Sequence, residues 1–478
     1  MSLPLPLIVP WIRLDRDARA EEEAALRRAR EPWCAGFCLF GGEADAVARL
    51  TGRLREAAGR PLFVASDMER GAGQQVKGLR VLPDAALWGM AASPGEIEAF
   101  GALTARDARS VGVDVLFAPV LDVRSEPNNP IVGNRAFGWD PDRVATAGAA
   151  FVRGALAGGC APTGKHFPGH GATAADSHDA VPSVRTPAGE LAARDLVPFA
   201  AAFLAGCPAV MTAHVAYPEV DPSGAIATFS GPILGRLHDL GGRDALVFTD
   251  ALLMAGAATE GGETGAARRA LRAGCHVLLI PSDPERLAAE VLDGADATLR
   301  RLAEHAAARV RAFTAGIARL SVPTAGAMAG LEATPGRVTD RAMRLTGVLG
   351  VPALARGQRV LVVDDDDTTD RGEVLARRGA AAGVEVDVVR IRRDQPPPPV
   401  PSAWQPAAIL LMSSVRAWKG HPICSQAATD VVIGVSRRAE RGSTVVISLA
   451  PRPLLGSLHV PATGPDVESA LADRLFPA

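Results

Sequence analysis

The sequence predicts an α/β fold: a (β/α)8 TIM-type barrel over residues 1–320, a connector over 321–357 and a smaller α/β sandwich domain over 358–478. Three observations support this prediction. Short apolar runs alternate with longer helix-like runs between about residues 34 and 320, as in parallel sheets with helical crossovers. Seven or more such units suit a closed barrel better than an open, doubly wound sheet. After a stretch rich in Pro, Gly and Ala, a new apolar strand indicates the second domain.

Apolar runs of strand length and Ala- and Arg-rich segments of helical spacing define the expected elements. The strand candidates of the barrel are Gly36–Phe40, Leu62–Ser66, Val113–Pro119, Thr163–Phe167, Val210–His214, Leu246–Thr249 and His276–Ile280. The helix candidates between them include Ala44–Ala58, Pro94–Val111, Pro141–Ala157 and Thr264–Ala273. The strand candidates of the second domain are Val360–Val363, Ala408–Met412 and Val445–Leu449.

Polar side chains recur where the apolar runs of the barrel end. They are Asp67, Asp122, Lys165, His166, His214 and Asp250. Any strand that leaves a core gives way to polar residues, which would account for one or two of these positions. Polar ends on five runs, several in apolar surroundings, instead predict a functional site. Barrel enzymes build their sites at this C-terminal face of the strands.

Composition and charge exclude several classes of function. A formal net charge of -2 gives no electrostatic reason for a nucleic-acid or anionic-membrane partner. The six cysteines lie in apolar stretches without a CxxC pair, so we expect buried thiols and no structural zinc site. The apolar residues 1–10 lack the basic start and the cleavage site of a leader. We therefore expect a cytoplasmic protein with no metal and no cofactor.

The segment from Lys165 to His178 holds three of the nine histidines and one of the three lysines of the chain. Pro168 and the glycines after it prevent a regular helix, so a strand should run here into a loop of titratable groups. A phosphate-binding loop is a weaker interpretation. Its G-x-x-x-x-G-K start is present, but His166 replaces the hydroxyl residue that would bind magnesium.

This segment closely resembles the signature of glycoside hydrolase family 3, in its β-N-acetylhexosaminidase branch. Lys-His-Phe-Pro-Gly-His-Gly at 165–171 is followed, after four residues, by Asp-Ser-His at 176–178. Other stretches resemble further motifs of the family in the same order: Gly112–Val123, Asn129–Gly138, Met211–Val215 and Thr249–Met254. The resemblance extends over the first domain and implies a barrel, in agreement with the strand pattern.

The resemblance implies a retaining exo-glycosidase that removes terminal β-N-acetylglucosamine through a covalent glycosyl-aspartate. Asp250 matches the family's nucleophile, and His178, oriented by Asp176, matches the acid/base of this branch. Imidazole titrates near pH ~6.5 and can both give and take a proton. The positions that match sugar-binding residues of the family are Asp67, Arg135, Lys165 and His166. The implied partner is a small carbohydrate, an N-acetylglucosamine glycoside or a muropeptide fragment of peptidoglycan recycling.

Several alternatives stay open at this point. Asp250 would also suit the N-cap of a helix over residues 251–254, and Asp176 with His178 would also suit a solvated loop. His170 and His214 fit structural roles better than direct catalysis. Other activities are a phosphorylase, in which phosphate replaces water, a β-glucosidase or β-xylosidase, and a non-catalytic carbohydrate-binding barrel.

Two departures from the family pattern bear on the sugar. The acetylhexosaminidases usually have Asp-x-Glu-Gly-Gly-Arg-Val after an early strand, whereas this chain has Arg70 after Asp67-Met68-Glu69. A later Ala-Gly-x-Asp motif has His276 in place of the acidic residue. Both changes leave the reaction type in place and put the identity of the sugar in question.

Overall fold

A computed structural model describes most of the chain, and all structural statements concern these residues: 3–15, 17–126, 129, 131–173, 181–257, 261–324, 329–346, 354, 357–364, 373–390, 406, 408–412, 445–449, 458–459 and 465–476. The chain divides into two compact units. The first consists of Met1–Val81, Pro94–Asn129 and Trp139–Glu332. The second consists of Leu82–Ser93, Pro130–Gly138 and Ala333–Ala478. The two short early segments in the second unit are not foreseen from the sequence, and the predicted domain bounds stay a prediction.

The first unit is a curled parallel sheet surrounded by helices. Its strands are β1 (Ile8–Val9), β2 (Trp11–Arg13), β3 (Gly36–Phe40), β4 (Phe63–Ser66), β5 (Val115–Leu116), β6 (Ala161–Phe167), β7 (Ala209–Thr212), β8 (Leu246–Phe248) and β9 (Leu278–Leu279). Strands β2 to β8 follow one another in the sheet in chain order, and every pair is parallel.

The sheet closes on itself through its N-terminal strand. Strand β1 pairs with β9, and β2 pairs with β3, so the segment around Pro10 lies between the first and last strands. A bridge between Phe248 and Val277 joins β8 to the strand that contains β9. Counting β1 and β2 as one, eight strands form the ring, and the predicted barrel is confirmed. Pro4, Pro6 and Pro10 explain why the N-terminal strand is not among the predicted ones, since proline argues against a strand inside a sheet.

The helices of the first unit cover the outside of the ring, and side-chain caps fix several of their starts. They are Ala18–Ala29, Ala44–Ala58, Pro94–Ser110, Pro141–Ala157, Ala188–Arg194, Val197–Leu204, Gly231–Gly235, Gly262–Ala273, Pro284–Glu290 and Ala297–Ile317. The Asp140 carboxylate accepts the amide of Asp142 at 2.9 Å ahead of the helix that starts at Pro141. Such a cap stabilises a helix by about 1 kcal/mol.

Four phenylalanines pack edge to face in the core of the first unit. The Phe63 and Phe248 rings are 5.9 Å apart, Phe117 and Phe248 are 5.3 Å apart, and Phe313 contacts Phe63 at 5.9 Å. Phe63 begins β4, Phe117 follows β5 and Phe248 ends β8, so their packing holds these three strands together inside the ring. Edge-to-face pairs add about 0.5–1.5 kcal/mol each beyond the apolar area they bury.

The second unit contains its own parallel sheet. Its strands are β10 (Arg359–Asp364), β11 (Glu385–Arg390), β12 (Ala408–Met412), β13 (Val445–Leu449) and β14 (Leu458–His459). Their order is β11-β10-β12-β13-β14, with the buried run Val360–Val363 inside the sheet. The helices of this unit are Ala85–Ala91, Thr334–Leu345, Glu373–Ala382 and Pro465–Leu475. The helix Thr334–Leu345 lies inside the segment expected to be a connector. Among all the helices described, none is both long and apolar enough to cross a membrane.

Candidate active site

The polar residues predicted to gather at one end of the barrel follow the C-terminal ends of its strands. Asp67 comes directly after β4, Lys165 and His166 lie in the last residues of β6, and Asp250 comes two residues after β8. Because these strands are parallel members of one closed ring, their C-terminal ends lie on the same face. This arrangement makes that face the candidate site.

Lys165 forms two ion pairs at this face. Its ammonium Nζ lies 2.6 Å from Oδ1 of Asp67 and 2.6 Å from Oε1 of Glu69. The side chains of Lys165 and Glu69 are buried, at 2% and 8% exposure, whereas that of Asp67 is 30% exposed. One buried cation therefore holds two carboxylates, and Asp67 is the one that reaches towards solvent. An oriented carboxylate of this kind can accept hydrogen bonds from hydroxyl groups of a ligand.

Glu69 is a site residue that the sequence reasoning does not assign. It stands two residues after Asp67, inside the motif that departs from the family pattern at Arg70. Its contact with Lys165 joins positions nearly one hundred residues apart, so no local spacing predicts the ion pair. The Asp-x-Glu spacing after a strand is the available signal, since both carboxylates then lie at the strand's end.

Asp122 organises the turn after β6. Its fully buried carboxylate accepts hydrogen bonds from the His170 amide at 2.7 Å and the His166 amide at 3.2 Å, and Oδ2 lies 2.7 Å from Nδ1 of the His166 ring. Burial opposes the charged form of Asp122, but the charge and hydrogen bond of His166 and the hydrogen bond from the His170 amide outweigh it and lower the pKa of Asp122. Asp122 thus stays ionised and fixes the orientation of the His166 ring.

His170 lies behind this turn as a neutral side chain. Burial, together with the charge of His166, lowers the pKa of His170 to about 4. Its Nδ1 lies 2.8 Å from the Thr173 hydroxyl, and the Asn129 amide donates to the His170 carbonyl oxygen at 2.8 Å. The negative charge of Asp250 opposes this shift by raising the pKa of His170, which indicates that Asp250 lies near His170. These contacts support a structural role for His170.

Replacing His170 by Asn should make stability less dependent on pH between 7 and 5. The pKa of His170 is about 4 in the folded protein and near 6.5 when unfolded, so the unfolded chain takes up the proton first. The wild type is therefore destabilised as the pH falls below the unfolded pKa. Urea unfolding at pH 7 and pH 5 gives the free energy of unfolding at each pH. Its decrease from pH 7 to pH 5 should be larger by about 1–2 kcal/mol in the wild type than in the variant. Equal losses would contradict this.

Asp250 lies in a turn after β8, half-buried. Its Oδ1 accepts the amide of the next residue, Ala251, at 2.8 Å. Residues 251–254 form a turn ahead of the short 3₁₀ helix Ala255–Ala257. Because residues 251–254 form no helix, the alternative that Asp250 caps a helix starting at Ala251 is wrong.

His214 supports the main chain beside Asp250. It is fully buried, its Nδ1 lies 2.8 Å from the Thr228 hydroxyl, and its Nε2 lies 3.1 Å from the carbonyl oxygen of Ala251. A ring nitrogen facing a carbonyl must carry the proton, so Nε2 donates to Ala251. His214 therefore holds the main chain of Ala251, the residue next to Asp250, and so helps to position Asp250.

The remaining predicted site residues are placed differently. Asp176 and His178 lie outside the described residues, so their assignment as acid/base pair rests on the sequence. Arg135 ends the short 3₁₀ helix Gly133–Arg135 of the second unit, where its guanidinium donates to the carbonyl oxygen of Ile131 at 3.1 Å. The structure thus brings together Asp67, Lys165 and Glu69, and it joins His166 to Asp122.

His276, one of the two departures from the family pattern, lies at the opposite end of the barrel. Its Nδ1 accepts the amide of Val247 at 2.9 Å, next to the start of β8, whereas Asp250 follows the end of that strand. Burial, with the charges of Arg309 and His305, lowers the pKa of His276 to about 3. The ring is thus a neutral acceptor at the base of the barrel. The expectation that this substitution bears on the sugar is wrong.

Comparison with known proteins identifies the family. Residues 43–312 match the family described as "Glycosyl hydrolase family 3 N terminal domain". The "Beta-hexosaminidase" of Pseudomonas aeruginosa is 40% identical over 285 residues, which cover 57% of this chain and 81% of that protein. The "Beta-hexosaminidase" of Thiobacillus denitrificans is 38% identical over 301 residues, covering 60% and 80%.

Solved structures show the same fold over a longer part of the chain. A glycoside hydrolase family 3 β-N-acetylglucosaminidase from Paenibacillus is 24% identical with a TM-score of 0.78, covering 98% of this chain and 95% of that one. NagZ from Neisseria gonorrhoeae is 27% identical with a TM-score of 0.57, covering 71% and 98%. With the strand-end carboxylates and the buried lysine described above, these matches lead to one conclusion: the chain belongs to glycosyl hydrolase family 3 and is a glycoside hydrolase.

Proposed function

We propose that this protein is a retaining exo-β-N-acetylglucosaminidase. The observation that carries the proposal is the position of Asp250 after β8, on the face that also holds Asp67 and Lys165. Relatives that are 38% and 40% identical to this chain are named beta-hexosaminidase, which supports a terminal N-acetylhexosamine as the sugar removed.

In the proposed mechanism, Asp250 attacks the anomeric carbon while His178 protonates the leaving oxygen. A covalent glycosyl-aspartate forms, and His178 then takes a proton from the water that resolves it. Asp176 orients the His178 ring as in other Asp–His pairs. Asp67 is the proposed acceptor for sugar hydroxyl groups, because its carboxylate is oriented by Lys165 and partly exposed. Arg135 and His166 keep the sugar-binding roles predicted from the family motifs.

The biological setting follows from the same proposal. The substrate would be an N-acetylglucosamine glycoside, such as a muropeptide fragment, and the enzyme would act in peptidoglycan recycling in the cytoplasm. Neither nucleic acid nor a membrane has a role in this proposal.

The first experiment compares nitrophenyl β-N-acetylglucosaminide with the corresponding β-glucoside and β-xyloside. We expect release of nitrophenol to depend on the 2-acetamido group and the first-formed sugar to be the β-anomer. Equal activity on the glucoside, or release of the α-anomer, would contradict the proposal.

A second arm of this experiment adds inorganic phosphate. A histidine acid/base carries no negative charge that would repel phosphate, so phosphate could take the place of water in the second step. We expect free N-acetylglucosamine as the main product with and without phosphate. N-acetylglucosamine 1-phosphate as the main product would make the enzyme a phosphorylase.

A further inference from the structure

The hydroxyl group of Thr228 lies against the ring of His214. Thr228 belongs to the short 3₁₀ helix Ala227–Phe229, and its side chain, like that of His214, is fully buried. The Thr228 hydroxyl lies 2.8 Å from Nδ1 of His214 and 2.8 Å from the hydroxyl of Thr212, at the end of β7. Three polar side chains therefore meet away from solvent, where each polar group has to make its hydrogen bond inside the protein.

The carbonyl group beside His214 fixes the direction of these hydrogen bonds. Nε2 of the ring faces the Ala251 carbonyl oxygen at 3.1 Å and therefore carries the proton. In a neutral ring Nδ1 is then the acceptor, so the Thr228 hydroxyl donates to it and accepts from the Thr212 hydroxyl. The Ala213 carbonyl oxygen, at 3.2 Å, is a more distant acceptor for the same Thr228 proton. The Thr228 hydroxyl thus favours the tautomer of His214 that donates to Ala251.

The same series of hydrogen bonds ends on Asp250. The Ala251 carbonyl oxygen accepts from His214, and the Ala251 amide donates to Oδ1 of Asp250 at 2.8 Å. The next amide, of Leu252, donates to the Leu279 carbonyl oxygen in β9 at 2.8 Å. The main chain after Asp250 is therefore held from two sides, and its amide orients the Asp250 carboxylate. A nucleophile that is displaced from its productive position attacks more slowly.

We propose that Thr228 is a positioning residue for Asp250: its hydroxyl orients His214, which holds Ala251 and thereby the carboxylate that attacks the sugar. The inference rests on the proposed function, because it takes Asp250 as the nucleophile. It assigns Thr228 no contact with the substrate. Each link is a hydrogen bond of 3.1 Å or less, and the first link depends on a single hydroxyl group.

The test replaces Thr228 by Val, which keeps the shape of the side chain and removes the hydroxyl. We expect kcat on nitrophenyl β-N-acetylglucosaminide to fall by about 10- to 100-fold, with little change in KM, because a small misplacement of a reacting group has an effect of this size. The loss should be similar on N,N′-diacetylchitobiose, since a displaced nucleophile slows attack whatever the leaving group. Thr228→Ser keeps the donor and should recover most of the wild-type activity.

Thr51→Val is the matched control for the effect on stability. Thr51 is also a buried threonine, and its hydroxyl donates to the Val111 carbonyl oxygen at 2.9 Å from the helix Ala44–Ala58 on the outside of the barrel. Both Val variants lose a buried hydrogen bond and should unfold at a lower temperature than the wild type. Only Thr228→Val should lose activity. Equal losses of kcat in the two, or a Thr228→Ser variant as impaired as Thr228→Val, would overturn the inference.

A double variant tests whether Thr228 acts through His214. Thr228→Val should lower kcat much less in a His214→Ala background than in the wild-type background, whereas fully additive losses would overturn the inference. Nitrogen NMR of the ¹⁵N-labelled wild type decides the question if Thr228→Val does not fold. With the ring assigned by a His214→Gln variant, Nε2 of His214 should carry a proton and Nδ1 should not. A proton on Nδ1 would contradict the proposed direction of the hydrogen bonds.

Asp250→Asn separates a failure of this inference from a failure of the proposed function. If Asp250→Asn keeps about a tenth or more of the wild-type kcat, the nucleophile is wrongly assigned and the inference fails with it. If Asp250→Asn is inactive and Thr228→Val is as active as the wild type, only the inference about Thr228 fails.

Discussion

Replacing Asp250 by Asn is expected to lower kcat on nitrophenyl β-N-acetylglucosaminide by about 10⁴-fold or more. The amide cannot attack the anomeric carbon, and no other carboxylate is assigned to that step. The fold should be unaffected, because the contact of Oδ1 with the Ala251 amide can be made equally by the amide oxygen of Asn. Steady-state kinetics with a thermal unfolding curve for each protein measures both effects.

Asp244→Asn is the matched control for this variant. Asp244 lies just before β8, whereas Asp250 lies just after it, and its side chain is 93% exposed while it pairs with Arg309. A change of one carboxylate at the other end of the same strand should leave kcat within about twofold of the wild type, as for most surface substitutions. If Asp250→Asn retained a tenth or more of the wild-type activity, Asp250 would not be the nucleophile.

Replacing His178 by Ala is expected to have the second largest effect, and its size should depend on the leaving group. General acid catalysis contributes about 10²–10⁴-fold. We expect a loss in this range for N,N′-diacetylchitobiose, whose leaving oxygen needs a proton. For the nitrophenyl glycoside the first step should be affected much less, because nitrophenolate departs without protonation.

The control for His178→Ala is His238→Ala, at an exposed position after the helix Gly231–Gly235. That variant should match the wild type on both substrates. A loss from His178→Ala that is the same for good and poor leaving groups would count against its role as the acid.

Much of the fold can be predicted from the sequence because strand and helix patterns are local. The strand Gly36–Phe40 is predicted to the residue, and the other predicted barrel strands agree with the structure to within a few residues. The N-terminal strand that closes the ring is the exception, because Pro4, Pro6 and Pro10 argue against a strand in this segment. The second unit shows the same limit: its buried strands are foreseen, whereas the more exposed β11 lacks a continuous apolar run.

The supporting contacts of the site could not be predicted, because they join distant parts of the chain. Asp122 and His166 are 44 positions apart, and the pairing of Glu69 with Lys165 depends on β4 and β6 lying near each other in the ring. The sequence indicates which side chains stand at strand ends, but only the closed barrel decides which of them meet. His276 departs from a family motif, yet it lies beside the start of β8 and not at the strand ends of the candidate site. The sequence shows such a departure but does not show at which end of the barrel it lies.

The most direct test of the central claim is to trap the covalent intermediate. A 5-fluoro-N-acetylglucosaminyl fluoride has a good leaving group for the first step, while the ring fluorine slows the oxocarbenium-like second step. After incubation, proteolysis and mass spectrometry, we predict one added sugar on the peptide that contains Asp250 and no adduct in Asp250→Asn. An adduct on another residue, or steady turnover with no adduct at all, would contradict a retaining mechanism through Asp250.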